Sequence, residues 1–296
     1  MLTDYHPGHF ITEDQTKISF QTNFLPDKID PNKKLLVFNY GLVCSQYQWS
    51  YQIPFFEKHD YQILLHDYRC HFESSCSLDI TTCTYENILS DMSQLFNQFD
   101  TNNIYLLGHS MGVNISLECA KQFPEKIKGL VLISGTAFPP NDTMFDSKIF
   151  NVLMPFIEKQ AKTFPELHSF LLKNSYKSKI ITKMVQSGGF HPTESKEDFV
   201  RVYLKKIGEL NPFLFFQLYN EMQNHAIINV LERIKSKTLI IGGDRDNIIP
   251  NYLQFIFKKF IKDSEIYILN EGSHVPQADF PDKVNERIKL FLDRVT

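Results

Sequence analysis

The sequence predicts an α/β fold: a mostly parallel sheet covered by helices, with a helical segment inserted before its last strands. Three observations carry that prediction. Short β-branched or aliphatic runs alternate with helix-length amphipathic stretches, as crossover units require. The alternation breaks once, between Thr136 and about Ile234, where only helical patterns are found. Within the alternating part, Gly108-His109-Ser110-Met111-Gly112 stands where a strand passes into a helix.

The elements follow in order. Lys17 to Phe24 alternates polar with apolar and reads as an antiparallel strand or hairpin. Lys34–Asn39, Gln62–His66, Asn103–Leu107, Lys128–Ile133, Thr238–Ile241 and Glu265–Leu269 each hold a short apolar run behind a polar first residue and read as buried strands. Helical periodicity is found near Tyr47–Lys58, Tyr85–Phe99, Met111–Phe123, Asn251–Phe260 and Pro281–Arg294. The interval is punctuated by Pro139-Pro140, Pro155, Pro165, Gly188-Gly189, Pro192 and Pro212. It is too long for a crossover and too helical for a loop. The predicted organisation is a core of residues 1–135 and 235–296 with a helical cap, 136–234, between two sheet strands.

Composition excludes several classes. The chain has 296 residues, with 31 basic against 34 acidic side chains and a net charge of -3, so the electrostatic footprint of a nucleic-acid binder is absent. Five cysteines without a CxxC pair read as reduced thiols of a cytoplasmic protein. Residues 1–10 lack the apolar region of an export signal, and no apolar run is long enough for a transmembrane segment. Cys70, Cys76 and Cys83 have no histidines at ligand spacing, and no glycine-rich phosphate loop is found, so neither metal nor cofactor is expected. Twenty-six phenylalanines, many between 145 and 216, fit a thick core or an apolar pocket.

The chemistry converges on one sheet edge. G-x-S-x-G after the strand Ile104–Leu107 is a nucleophile elbow, a turn so tight that glycines must flank the serine. A serine hydroxyl needs a base and a group to orient that base. Asp246, in Gly243-Asp-Arg-Asp-Asn-Ile-Ile-Pro250, follows one predicted strand, and His274, in Gly272-Ser-His, follows the last. Open α/β sheets gather functional loops at the carboxyl ends of their strands, where Ser110, Asp246 and His274 would meet. Asp244 is the rival acid, read as a turn-former.

These motifs together resemble the α/β-hydrolase superfamily, within its capped serine esterases and lipases. The resemblance spans roughly Phe20 to Phe291 and also rests on Asn39-Tyr-Gly-Leu42 and Asp67-Tyr-Arg-Cys-His71. It implies an eight-stranded sheet, a Ser110–His274–Asp246 triad, and an oxyanion hole from the backbone N–H groups of Leu42 and Met111. Tyr40 stands where relatives usually have His, and Cys70 and Phe72 where they usually have glycine. Arg69 and Asp67 are expected to tie that loop together. Relatives with dehalogenase or epoxide-hydrolase chemistry place Asp, not Ser, at the elbow.

The function expected is hydrolysis of a small to medium apolar acyl ester, a carboxylesterase activity through an acyl-enzyme. Tyr40, Trp49, His109, Phe145, Phe150 and Phe215 are candidate pocket residues, although Trp49 and His109 also read as packing and turn support. From Met144 to Leu210 eleven basic residues face seven acidic ones, and Lys173, Lys177, Lys179 and Lys183 lie in an acid-free stretch. That face is either solvated or a dock for something anionic: an acidic acyl-carrier protein, as in the pimeloyl-carrier methyl esterases that the chain also resembles, a CoA-type thioester head or a phospholipid surface. A ligand-binding protein with vestigial activity is the alternative of another class.

Overall fold

The computed structural model describes residues 5–76, 79–139 and 148–295, with only the helical backbone described at 148–153. Eight strands form one sheet: β1 (His6–Ile11), β2 (Lys17–Thr22), β3 (Leu35–Asn39), β4 (Gln62–His66), β5 (Ile104–His109), β6 (Ile127–Ile133), β7 (Lys237–Gly243) and β8 (Ser264–Leu269). Their order is β1-β2-β4-β3-β5-β6-β7-β8. β1–β2 and β2–β4 are antiparallel, and every other neighbouring pair is parallel.

Every residue of β3, β4 and β5 is buried, which explains why their central residues are apolar without alternation. The covering helices are α1 (Gln52–Lys58), α2 (Tyr85–Phe96), α3 (Met111–Gln122), α9 (Tyr252–Phe260), the short α10 (Pro276–Asp279) and α11 (Pro281–Arg294). Thr84 caps α2 by accepting the Asn87 N–H. The strand the sequence hid is β1, His-Pro-Gly-His-Phe-Ile. Proline is tolerated there because β1 is the sheet edge. Gly8 leaves room for the ring of Phe20 on β2, 2.3 Å from where a Cβ would stand.

Between β6 and β7 lie α4 (Lys148–Thr163), α5 (Pro165–Asn174), α6 (Lys179–Gly189), α7 (Glu197–Glu209) and α8 (Leu214–Gln223), and no strand among the described residues. Phe199, Val200 and Leu204 of α7 pack with Phe190 against Val275 and Ala278 of the core. Among the described residues no helix is long and apolar enough to cross a membrane.

The loop after β4 corrects the reading of the cysteines. Cys70 and Cys76 are joined as a disulfide, with Cα atoms 4.6 Å apart, while Cys44, Cys83 and Cys119 are free and buried. The chain folds back on itself there, with Cys70 N–H on Ser75 O at 3.0 Å, so the two thiols are brought face to face. An odd total concealed one bonded pair, and the thiol argument for a reducing compartment goes with it. Arg69 and Asp67 hold this loop from separate partners. Arg69 makes a two-pronged pair with buried Asp91 at 2.6 and 2.7 Å, and Asp67 accepts the Glu73 N–H at 3.2 Å.

Candidate active site

β5 ends at His109 and α3 begins at Met111, so the chain reverses through Ser110 alone. Ser110 has φ 53° and ψ -119°, a region that non-glycine residues occupy only when their surroundings dictate it. Two close approaches dictate it here. A Cβ on Gly108 would stand 2.5 Å from Gly112 O, and one on Gly112 only 2.1 Å from Asn39 O. Neither glycine has a positive φ, so both are needed for space rather than for dihedral freedom. Behind the turn, Asn39 Nδ2 donates to Ser116 Oγ at 2.8 Å, and Ser116 donates to Gly112 O at 2.7 Å. His66 Nε2 lies 2.9 Å from Asn39 Oδ1 and completes the brace.

The acid and the histidine come from neighbouring loops. A Cβ on Gly243, at the end of β7, would stand 2.1 Å from Gly272 O, so the loops after β7 and β8 meet backbone to backbone. Asp246 Oδ1 accepts the N–H groups of Ile248 and Ile249 at 2.9 and 2.8 Å, which fixes the carboxylate. Its Oδ2 is 2.9 Å from His274 Nδ1. A carboxylate can only accept, so Nδ1 carries the proton and Nε2 is left as a base. Asp244, by contrast, is exposed. Ser110 and His274 share a cavity wall, and among the described residues no hydrogen bond joins them. Such contacts often tighten only when substrate is bound.

His109 ties the elbow to the histidine loop. Its Nε2 lies 2.7 Å from the backbone oxygen of His274, so this nitrogen holds the proton. Burial first, and then the nearby His274, push His109 far toward the neutral form. Its Nδ1 faces the β3–α1 turn, 3.2 Å from where a Cβ on Gly41 would stand.

That turn holds the other expected donor. Gly41 N–H donates to Gln48 Oε1 at 3.1 Å, and Val43 has φ 47°, so Leu42 sits at the top of a tightly held reversal bordering the cavity. Met111 is the first residue of α3, where backbone N–H groups lack helical acceptors. Tyr40 stands behind the turn rather than in the cavity, its hydroxyl accepting the Tyr68 N–H at 3.0 Å. Trp49 is likewise fully buried and packs edge-on against Phe38, with ring centroids 5.4 Å apart.

The cavity above Ser110 holds about 520 Å³, and its wall includes Met154, Leu204, Ile207, Phe215, Phe216 and Met222. Phe215 and His109 are thus on its wall. Phe145 lies outside the described residues, and of Phe150 only the helical backbone is described. Cys44 also lines it, 3.3 Å from the Tyr203 hydroxyl, but burial pushes its thiol up to about 12, which disqualifies it as a rival nucleophile. Sequence reasoning missed Gln48, Cys44 and Tyr203, since nothing in a local motif marks them.

It also missed Asp279, five positions after His274. Its Oδ2 accepts from Ser273 N–H at 2.9 Å and lies 2.6 Å from Ser273 Oγ. Its Oδ1 accepts from Ser195 Oγ and from His191 N–H, both in the connection between α6 and α7.

Similarities to known proteins agree with this architecture. Epoxide hydrolase 4 of Mus musculus is 24% identical over 89% of this chain and 74% of its own length. Proline iminopeptidase of Saccharolobus solfataricus is 25% identical over 83% and 81%. The solved esterase EaEST of Exiguobacterium antarcticum superposes with a TM-score of 0.74 at 18% identity, covering 96% of this chain and 98% of that one. The model of the alpha/beta hydrolase fold matches residues 34–281, and the chain belongs to that family.

Proposed function

We propose that the chain is a serine ester hydrolase for small to medium apolar acyl esters. The observation that carries this reading is the His274–Asp246 hydrogen bond of 2.9 Å beside a cavity into which a strained Ser110 projects. In the reaction, Ser110 Oγ attacks the ester carbonyl while His274 Nε2 takes its proton. Asp246 holds the ring through Nδ1–H and stabilises the imidazolium without itself being protonated. The Leu42 and Met111 N–H groups receive the oxyanion, where each donor is worth roughly a hundredfold to a thousandfold in rate. The imidazolium protonates the departing alkoxide, and the same nitrogen then draws a proton from water to release the acid.

The helical insertion serves as a cap, and its apolar side chains give the cavity its taste for acyl chains. A volume of about 520 Å³ is within the usual range for a cavity enclosing a small molecule. A p-nitrophenyl series from acetate to decanoate tests the reading. Turnover should peak at a medium chain, and Ser110→Ala should abolish it with the fold intact. Equal turnover by Ser110→Ala would overturn the assignment.

A further inference from the structure

Three helices of the insertion hold large apolar side chains in solvent. On α5, Leu167, Phe170 and Leu171, at i, i+3 and i+4, form one stripe with exposures of 56%, 63% and 54%. On α6, Ile180 and Met184, at i and i+4, are 74% and 67% exposed. Phe156 on α4 and Phe164 just past it add two more. Monomeric soluble proteins seldom group such side chains without an interacting surface.

The charges beside them are mostly basic: Glu158 on α4 is paired with Lys162, and Glu166 in the first turn of α5 is the acid next to the stripe. Lys173, Lys177, Lys179 and Lys183 fall within residues 167–193, which contain no acid. Among the described residues none of the four is in an ion pair. Lysine is depleted in protein–protein interfaces, whereas apolar anchors with flanking lysines suit the headgroup boundary of an anionic bilayer. There the lysine stems lie along apolar surface while the ammonium groups reach the phosphates.

The cavity opens on the same helices. Its wall includes His168, Leu172 and Val185, each next in sequence to an exposed apolar residue. Ile157 is in that wall and 44% exposed, and a Cβ on Gly188, also in the wall, would meet nothing within 4 Å.

We propose that the α4–α6 face docks on anionic phospholipid membranes and that the cavity takes its apolar ester from the lipid phase through this opening. The docking stands by itself, whereas the delivery step rests on the ester-hydrolase reading.

The test is flotation of the full chain with vesicles of phosphatidylcholine alone or with 30% phosphatidylglycerol (about 30%, enough to give the surface a clear negative potential). Wild type should float with the anionic vesicles and release in high salt. Changing Lys173, Lys177, Lys179 and Lys183 to Gln should weaken partitioning by about a hundredfold or more, since each surface lysine contributes about 1 kcal/mol, tenfold being 1.4. Phe170→Ser with Met184→Ser should weaken it too, and both variants should keep wild-type turnover of soluble p-nitrophenyl butyrate. Ser110→Ala should float like wild type, which separates docking from chemistry. No flotation of wild type, or flotation indifferent to both variants, overturns the proposal. So does a dimer in sedimentation that the Phe170/Met184 variant abolishes, or saturable binding of an acidic acyl-carrier protein without vesicle binding.

Discussion

Ser195, in the connection between α6 and α7, donates its hydroxyl proton to Asp279, five residues past His274. With Ser273 on the other carboxylate oxygen, this buried group links the insertion to the loop that carries the histidine. Asp279→Asn turns an acceptor into a donor facing N–H and O–H groups. We expect a loss of about 1–3 kcal/mol of stability per donor left unsatisfied. Catalysis should suffer through kcat more than KM, because the imidazole loses its position. Ser195→Ala should show the milder form of both effects. Urea unfolding with steady-state kinetics checks them.

The elbow glycines differ sharply from Gly188 of α6. Gly112→Ala puts a Cβ 2.1 Å from a backbone oxygen that no rotamer change relieves, so it should cost at least the roughly 1–3 kcal/mol of ordinary overpacking and remove activity. Gly188→Ala meets open space inside a helix and should stabilise by roughly 0.5–1 kcal/mol. Thermal unfolding of the two variants side by side reads the contrast.

Asp246→Asn should retain the two loop bonds from Ile248 and Ile249 through its carbonyl oxygen, yet present an NH₂ to His274. The imidazole then holds its proton on Nε2, where it cannot accept from Ser110. A kcat loss on the order of 10⁴ is expected with little change in stability. Asp244→Asn, on an exposed side chain, should be near wild type.

Acid should unfold the protein through its buried histidines. Burial lowers His66 to about 3 and His71 to about 4. Between those values and the ordinary 6.5 the unfolded chain binds more protons, so stability falls as pH drops through that window. Each contributes a slope of up to about 1.4 kcal/mol per pH unit. Asp67, raised by burial to about 6, opposes them, since its native form takes up a proton first as pH falls. Buried His109 acts with His66 and His71, and Asp91, also raised by burial, acts with Asp67; three histidines outweigh two aspartates, so the free energy of urea unfolding should decline from pH 6.5 toward 4. His71→Gln should flatten the decline, and a profile flat or rising toward pH 4 would contradict this.

What the sequence made legible follows local rules. The buried strands, the insertion between β6 and β7 and the elbow are written in apolar runs and glycine spacing. The positions of Ser110, Asp246 and His274 follow from strand order. β1 escaped because His, Pro and Gly obscure alternation in an edge strand. The Cys70–Cys76 pair escaped because loop geometry, not spacing, joins it. Tyr40 and Trp49 are aromatic near the site, but their burial behind the β3–α1 turn depends on Tyr68 and Phe38, partners distant in sequence or hidden in a strand. Asp279 acts through four hydrogen bonds to two loops and Gln48 through its bond from the Gly41 N–H, and no periodicity encodes either.

The most direct test is covalent: treat the folded protein with a fluorophosphonate probe and map the adduct by peptide mass spectrometry. A Ser110 nucleophile activated by His274 requires rapid, stoichiometric labelling at Ser110 that slows by orders of magnitude in His274→Ala. Labelling elsewhere, or a Ser110 adduct forming at the same rate without the imidazole, would contradict it.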